Sequence, residues 1–305
     1  MQQIRLHSGG KTLSLTAGDY RAKIVTVGAG LAELTYQGCH LVIPHNPEEM
    51  PPAHLGKVLV PWPNRIANGC YRYQGQEFQL PVNEHASRAA IHGFLAWRDW
   101  QVADAAPDNV TLTAFLPPSY GYPFSLFTTV IYSLDREKGL SVEIISENAG
   151  QLPAPYGAGI HPYLTCNLSP VDNYRVQIPA KQVFAVDSRS NPTSLHPAQE
   201  LDLDFSLPRT IGTRKIDHTF KTDSRTWEVN ITDPAQGLSV TLYADQPWLQ
   251  IYSGEKLNRQ GLAVEPMSCP PNAFNSAIDL IYLQPGKRHR LFLSIKGERQ
   301  EPGVQ

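Results

Sequence analysis

FTTVIYSLDREKGLSVEI, residues 127–144, is the stretch that decides the fold. Phe127–Tyr132 is rich in β-branched residues and leads into a polar turn between Asp135 and Gly139. Leu140–Ile144 then alternates apolar with polar side chains. Because successive side chains of a strand point to opposite faces, this pattern predicts a β-hairpin with one buried face.

The same strand signals recur along the chain. Strands are predicted at 22–27, 238–243, 248–252 and 291–295, and no long stretch has helical periodicity. The 26 prolines and 22 glycines are spread between the strands, which is typical of many short antiparallel strands and not of two domains on a tether. The stretch 187–197 is predicted to be a long loop. The sequence therefore predicts an all-β fold, a large antiparallel β-sandwich, in one domain spanning residues 1–305.

Composition excludes several classes of partner. The net charge of −2 gives no global basic field, so no nucleic-acid partner is expected. No apolar run approaches the roughly 20 residues that cross a bilayer, and the N-terminal residues lack the apolar core of a signal peptide. A cytoplasmic protein without a membrane partner is expected. The four cysteines have no metal-ligand spacing and are expected to be reduced thiols.

One motif imitates a dinucleotide fingerprint. Gly28 and Gly30 follow a predicted strand, but Glu33 occupies the place of the third glycine. Residues 34–38 look like another strand and turn, whereas a dinucleotide site needs a helix after its glycines. No nucleotide cofactor is expected.

Three places combine a titratable side chain with an unusual local sequence. His92 stands between an apolar run and Gly93, His161 precedes Pro162, and Glu265 ends a short apolar strand. Each has an ordinary structural explanation, since a lone histidine beside apolar residues is usually a core histidine and a glutamate before proline is usually solvated.

Together the three residues indicate acid–base chemistry. Desolvation at a strand end would raise the pKa of Glu265 and make it a useful base. Two imidazoles titrate near neutral pH and can supply a proton and polarise an oxygen. Arg65 and Asp217 offer the donors and acceptors that sugar hydroxyls require, although a salt bridge between two loops is an equally good interpretation of that pair. The set suits moving protons on and off sugar oxygens.

Six segments, in chain order, resemble signatures of the aldose 1-epimerase (galactose mutarotase-like) family. They are 64–69 with the hairpin after it, 91–93, 119–123, 161–163, 216–220 and 264–265. Each is a weak match alone, but six in the right order are specific, and the match covers nearly the whole chain. Residues 61–63 and 97–100 look like a bacterial branch of the family.

The resemblance implies a galactose mutarotase-like supersandwich with a sugar cleft on one concave sheet. It implies that Glu265 takes the proton of the anomeric hydroxyl, that His161 protonates the ring oxygen and that His92 polarises it. It also implies sugar-binding roles for Arg65, Asp217 and Asn64. The expected activity is interconversion of the α and β anomers of a free monosaccharide, without cofactor or metal, by a monomer or homodimer.

Two departures from the family pattern leave the substrate open. Gly93 is followed by Phe94 where the family commonly has a second glycine, and the stretch 266–274 after the glutamate is altered. Both departures fall around the expected cleft. A hexose 6-phosphate or another anionic sugar is therefore an alternative substrate, and its candidate partners are Arg65, Arg88 and Arg98.

Two other classes of protein remain as alternatives. A non-catalytic carbohydrate-binding β-sandwich would need aromatic and polar contacts but not the histidines and the glutamate. A glycosidase would use Glu265 and Asp217 as paired carboxylates and would cleave glycosides, which lack the free anomeric hydroxyl that a mutarotase needs.

Overall fold

The computed structural model describes residues 7–299, and nearly all of its regular structure is β. The first strands are β1 (Thr12–Ala17), β2 (Tyr20–Val25), β3 (Gly30–Tyr36), β4 (Cys39–His40), β5 (Val58–Leu59), β6 (Arg65–Ala67), β7 (Cys70–Tyr73), β8 (Gln76–Gln79) and β9 (Ala89–Ile91). The middle strands are β10 (Gln101–Ala105), β11 (Asn109–Leu116), β12 (Leu126–Asp135), β13 (Gly139–Asn148), β14 (Ala154–Tyr156), β15 (Gly159–Ile160), β16 (Tyr163–Leu164), β17 (Arg175–Gln177) and β18 (Gln182–Val186). The last strands are β19 (Pro192–Pro197), β20 (Arg209–Thr210), β21 (Asp217–Lys221), β22 (Trp227–Asp233), β23 (Leu238–Ala244), β24 (Trp248–Tyr252), β25 (Leu262–Met267), β26 (Ile281–Leu283) and β27 (Arg288–Arg299).

Helical structure in the described part of the chain is confined to single turns. One α-helical turn, α1, spans Ala273–Ser276. The 3₁₀ turns span Pro52–His54, Leu95–Trp97, Val171–Asn173, Ala198–Leu201 and Glu255–Leu257. None of the helices in residues 7–299 is long and apolar enough to cross a membrane.

The predicted hairpin at 127–144 is confirmed as β12 and β13, which pair antiparallel from Leu126–Asn148 to Asp135–Gly139. Val130 and Tyr132 on one strand, and Val142 and Ile144 on the other, are fully buried, while the intervening side chains are not. Fully burying one such apolar side chain stabilises the fold by about 1.5–3 kcal/mol. The alternation in the sequence thus sets which face of the sheet enters the core.

The turn of this hairpin follows from two residue types. The carboxylate of Asp135 accepts the backbone N–H groups of Glu137 and Lys138, both at 2.8 Å. Gly139 has a φ of +79°, and a Cβ there would lie 2.3 Å from the carbonyl oxygen of Ile295. Glycine is the residue that combines this backbone angle with such a close approach.

Two large antiparallel sheets carry the architecture. The nine-stranded sheet has the order β10-β11-β12-β13-β27-β23-β22-β17-β20. The eight-stranded sheet has the order β19-β18-β21-β24-β25-β15-β5, with β16 also pairing β25. Buried side chains from both sheets, such as Val142 and Val264, belong to one continuous core cluster. The prediction of an all-β antiparallel sandwich is confirmed; the single domain stays a prediction.

The strands predicted from the sequence are confirmed, and one predicted loop is partly wrong. The predicted strands at 22–27, 238–243, 248–252 and 291–295 fall within or largely overlap β2, β23, β24 and β27. The prediction that 187–197 is a long loop is wrong for its second half, because Pro192–Pro197 forms β19. This strand is the edge of the eight-stranded sheet, where proline is tolerated because one side of the strand has no partner.

Candidate functional site

A cleft of about 380 Å³ lies at the eight-stranded sheet, and all six predicted site residues line it. Such a volume is within the range of small-molecule sites. The lining residues are Ala53, His54, Asn64, Arg65, Asn83, Glu84, Ile91, His92, His161, Tyr163, Asp217, Tyr252, Lys256 and Glu265. A larger groove of about 830 Å³, lined by residues such as Tyr73 and Phe124, contains no histidine, carboxylate or cation among its lining residues.

A two-stranded ribbon joins the first part of the cleft. In the pairing of β6 with β9, Arg65 lies opposite Ile91, which immediately precedes His92. The backbone N–H of His92 donates to the carbonyl oxygen of Asn64 at 2.8 Å. His92 and Asn64 both have left-handed backbones, with φ of 65° and 52°. The ribbon therefore presents two predicted sugar ligands and one histidine from segments that are 27 residues apart.

The departure after His92 has a local explanation. Gly93 has a φ of +68°, and a Cβ there would lie 2.2 Å from the carbonyl oxygen of Val60. The next residue, Phe94, packs its ring edge-on against Trp62 with centroids 5.0 Å apart. The glycine at position 93 is thus required by the backbone conformation. The next position carries an aromatic side chain that packs on Trp62 and does not line the cleft.

His161 and Glu265 meet across adjacent strands. His161 follows β15, and Glu265 lies on β25, which pairs with both β15 and β16. The Nε2 atom of His161 lies 3.4 Å from Oε1 of Glu265, and both side chains are almost fully buried. Burial raises the pKa of Glu265 well above its ordinary value, and the nearby Asp217 carboxylate adds to the rise. Burial lowers the pKa of His161 to about 3. Each group is driven toward its neutral form, so the pair shares one proton.

The two histidines stand close enough to act on one ligand. Their ring centroids are 5.3 Å apart and the rings meet edge to face. Burial lowers the pKa of His92 well below its ordinary value, and the neighbouring His54 and His161 rings act in the same direction. His92 is therefore a neutral imidazole, which has one N–H donor and one acceptor nitrogen.

A buried glutamine fixes Asp217. Gln250 lies on β24, between β21 and β25. It is opposite Thr219 of β21 on one side and opposite Glu265 of β25 on the other. The amide of Gln250 donates to Asp217 at 2.6 Å, and its carbonyl accepts the hydroxyl of Thr219. Sequence reasoning missed Gln250, although a single polar residue inside the apolar run Trp248–Tyr252 was a usable signal.

The guanidinium of Arg65 contacts two protein groups, but its Nε–H has no hydrogen-bond partner within residues 7–299. Its guanidinium donates to the carbonyl oxygen of Ser190 at 2.7 Å and lies 3.6 Å from the carboxylate of Glu84. Five cleft residues also keep a buried polar atom that has no hydrogen-bond partner in the described chain: Asn64 Oδ1, Arg65 Nε, His92 Nδ1, His161 Nδ1 and Glu265 Oε2. Unpaired buried polar atoms are costly, so their concentration here indicates a polar ligand.

Of the three arginines that the sequence offered as partners of an anionic sugar, Arg65 lines the cleft. Arg88 and Arg98 are exposed and do not line it, so their predicted contact with an anionic sugar finds no support in the geometry. Lys256 lines the cleft instead, and it pairs with no carboxylate within residues 7–299. His54 is a further lining residue that sequence reasoning missed, because nothing in the local pattern PPAHLGK points to the histidines 38 and 107 positions later.

Residues 7–299 contain no group of three His, Cys, Asp or Glu side chains arranged to hold a metal ion. The four cysteines are all free thiols, and Cys39, Cys166 and Cys269 are buried. The titratable side chains that line the cleft include three carboxylates, three imidazoles and two cations.

The fold and the cleft define a class of protein: an antiparallel β-sandwich with a buried acid–base pair facing a polar small-molecule site. The chain belongs to the aldose 1-epimerase family, whose family model matches residues 11–296. The resemblance stated from the sequence is thereby confirmed, and family membership supports a sugar epimerase of the isomerase type.

The chain is similar to relatives over a range of sequence identities and to solved structures. The protein YihR of Escherichia coli strain K12, which is uncharacterized, is 68% identical over 300 residues, covering 98% of this chain and 97% of YihR. The aldose 1-epimerase of the same strain is 25% identical over 273 residues, covering 78% of each chain. A GalM/aldose epimerase homologue from C. elegans superposes with a TM-score of 0.86 at 18% identity, over 95% of this chain and 99% of that one. Galactose 1-epimerase from Lactobacillus acidophilus NCFM has a TM-score of 0.82 at 18% identity, over 94% and 93%. The last two comparisons confirm the galactose mutarotase-like fold.

Proposed function

We propose that this protein is an aldose 1-epimerase that interconverts the α and β anomers of a free monosaccharide by opening and closing the pyranose ring. The observation that carries the proposal is the buried pair of His161 and Glu265, 3.4 Å apart, beside the neutral His92. General acid–base groups of this kind each contribute about 10²–10⁴-fold to a rate.

The shared proton gives the pair a consistent role in the cycle. Ring opening needs Glu265 ionised, to take the proton of the C1 hydroxyl, and His161 protonated, to give a proton to the ring oxygen. After that transfer Glu265 holds a proton and His161 is neutral. This is the state that burial favours, so the low-dielectric cleft stabilises the protonation state that accompanies the open-chain sugar. Rotation about C1–C2 and the reverse transfers then close the ring as the other anomer.

The remaining cleft residues would bind and orient the sugar. Asp217, which accepts a hydrogen bond from Gln250, offers a carboxylate oxygen, and Arg65 and Asn64 each offer an unpaired polar atom. His92 presents a neutral imidazole that can donate to the ring oxygen and polarise it. Sugar hydroxyls are both donors and acceptors, so this mixture of groups suits them.

Two alternatives are less well supported by the geometry. Glu265 contacts a histidine, and Asp217 is bound by Gln250, so the two carboxylates do not form the isolated pair of a glycosidase. A protein that only binds sugar does not need a fully buried glutamate with a raised pKa, whereas such a group is typical of a catalytic acid or base.

A charged sugar is the second candidate substrate, and Lys256 is the observation that favours it. Its ammonium is exposed at the cleft without a carboxylate partner among residues 7–299. A phosphate or another anionic group on the sugar would supply that partner. An ion pair between the Lys256 ammonium and that anionic group would strengthen sugar binding most at low salt, because the site is open to solvent and salt screens exposed charges.

Polarimetry on freshly dissolved sugars tests both candidates. We expect the protein to speed the approach of a pure anomer to an unchanged final rotation. The panel contains α-D-glucose, α-D-galactose and 6-phosphorylated hexoses, each with the wild type and with Lys256→Gln. Loss of acceleration only for anionic sugars in the variant supports the charged substrate. No acceleration for any sugar, with binding still detectable, would replace the epimerase by a sugar-binding protein.

A further inference from the structure

The cleft contains a third histidine that the proposed reaction has not used. The ring of His54 lies 4.5 Å from that of His92, centroid to centroid, and is nearly parallel to that of His161 at 6.4 Å. His161 in turn stacks on Tyr163 at 4.9 Å. His54 is therefore part of the same aromatic stack as the acid–base residues and lines the same cleft.

Trp97 determines how His54 can hydrogen-bond. The indole Nε1 of Trp97 lies 3.3 Å from Nε2 of His54. An indole nitrogen is a donor only, so His54 Nε2 must accept this hydrogen bond and cannot hold a proton. In a neutral imidazole the proton then resides on Nδ1. Trp97 does not line the cleft itself, and so it acts on the site through His54.

The surroundings keep His54 neutral. Burial lowers its pKa to about 4, and the positive charges of Lys256 and Lys57 act in the same direction. Glu84 acts in the opposite direction, with an effect smaller than that of Lys256 and larger than that of Lys57. Lys57 is fully buried, donates to the carbonyl oxygen of Val27 at 2.5 Å and places its ammonium 5.3 Å from the centroid of the Trp97 ring. One cation thus lies behind Trp97 and another lies at the cleft.

The backbone at His54 is held in an unfavourable conformation. Ala53 and His54 both have left-handed backbones, with φ of 50° and 55°. Such a conformation costs a residue other than glycine about 1–2 kcal/mol. Two hydrogen bonds maintain it. The Tyr163 hydroxyl donates to the carbonyl oxygen of Ala53, and the backbone N–H of Lys57 donates to the carbonyl oxygen of His54. Strain of this kind is typical of residues whose orientation matters for function.

We infer that His54 is a third sugar-contacting histidine, a neutral ring whose Nδ1–H is presented to the bound sugar because Trp97 occupies Nε2. The inference rests on the proposed function and extends it. Trp97 is then a positioning residue, since it selects the tautomer without touching the sugar. The Nδ1–H of His54 donates to a hydroxyl or ring oxygen near the atoms on which His92 and His161 act.

The tautomer is measured independently of activity. Protein labelled with ¹⁵N in its histidines is examined at pH 7 by two-bond ¹H–¹⁵N correlation, which reports the nitrogen that holds the proton. We expect Nδ1–H for His54 in the wild type and a mixture of both tautomers in Trp97→Phe, which keeps an aromatic ring and removes the indole donor. An Nε2–H tautomer in the wild type would overturn the inference.

The contact with the sugar is measured by kinetics. His54→Phe keeps the ring and removes the donor, whereas His54→Asn keeps an amide N–H near the position of Nδ1. We expect kcat/KM to fall about three- to tenfold in His54→Phe, as for the loss of one hydrogen bond, and to recover largely in His54→Asn. His196→Phe, on the edge strand β19, is the matched control with unchanged kinetics. Thermal unfolding of each variant checks that it is folded.

The two possible failures are distinguishable. An active wild type whose His54→Phe variant keeps the full kcat/KM overturns the sugar contact and leaves the proposed function standing. A wild type that accelerates no sugar refutes the proposed function and with it the role of His54 in catalysis, even where the Nδ1–H tautomer is observed.

Discussion

Replacing Glu265 by glutamine should separate chemistry, sugar binding and stability in one variant. The glutamine has the same shape but cannot accept a proton at neutral pH. Glu265 is 2% exposed, and its Oε1 atom lies 3.4 Å from His161. We expect kcat to fall by about 10²–10⁴-fold, as for the loss of a general base, while KM changes little.

The same substitution should stabilise the fold, and increasingly so as the pH rises. Because burial holds the folded-state pKa of Glu265 above its ordinary value, the folded protein binds its proton more tightly than the unfolded chain does. Wild-type stability is therefore complete below the unfolded pKa and is lost as the pH rises toward the folded pKa. The loss is about 1.4 kcal/mol for each pH unit between the two pKa values. Glutamine carries no such cost.

Two assays test these expectations. Polarimetry of the fastest sugar gives kcat and KM, and denaturant unfolding at pH 5, 6.5 and 8 gives the free energy of unfolding of both proteins. The stability difference between Glu265→Gln and the wild type should grow with pH. The wild-type kcat/KM should fall as the pH rises through an apparent pKa above 4.5, because the pair then loses the one proton that ring opening needs. Unchanged kcat would remove Glu265 from the mechanism. A stability difference that is constant with pH would show that the carboxyl group titrates normally and would refute the burial argument.

Three further substitutions test other parts of the site. His161→Asn should lower kcat by about 10²-fold or more, and a change in KM alone would reduce His161 to a binding residue. Gln250→Leu should raise KM about tenfold, because Asp217 loses its 2.6 Å hydrogen bond; wild-type KM by polarimetry would count against this positioning. Gly93→Ala should lower the melting temperature by several degrees, because its Cβ would meet the carbonyl of Val60 at 2.2 Å; an unchanged melting temperature would contradict this.

The aromatic residue after Gly93 and the lysine at the cleft have different consequences for the substrate. The aromatic residue after Gly93, Phe94, packs against Trp62 and does not line the cleft, so it does not directly change the set of proposed sugar ligands. Lys256 does line it, and it is the residue by which we expect substrate choice to depend on charge. Arg88 and Arg98, which the sequence offered for that role, face solvent outside the cleft.

Most of the strands and the residues of the site motifs could be predicted from the sequence. The alternation at 127–144 placed Val130 and Val142 on a buried face because side-chain direction in a strand depends only on position along it. In the same way, the apolar residues before Glu265 predicted its burial and a raised pKa. The prediction that Glu265 ends the strand is wrong, because β25 continues through Pro266 to Met267. The local pattern indicates these properties, because apolar neighbours in a strand are usually buried with it.

Contacts between residues distant in sequence depend on the folded structure. Gln250 and Asp217 are 33 positions apart, and they contact each other because β21 and β24 pair in one particular register. His54 reaches His161 because the turn before β5 and the end of β15 are joined by backbone hydrogen bonds. Strand pairing between distant segments depends on the whole core, so it cannot be predicted from the sequence next to each residue. The third histidine, the cation at the cleft and the shared proton all follow from that pairing.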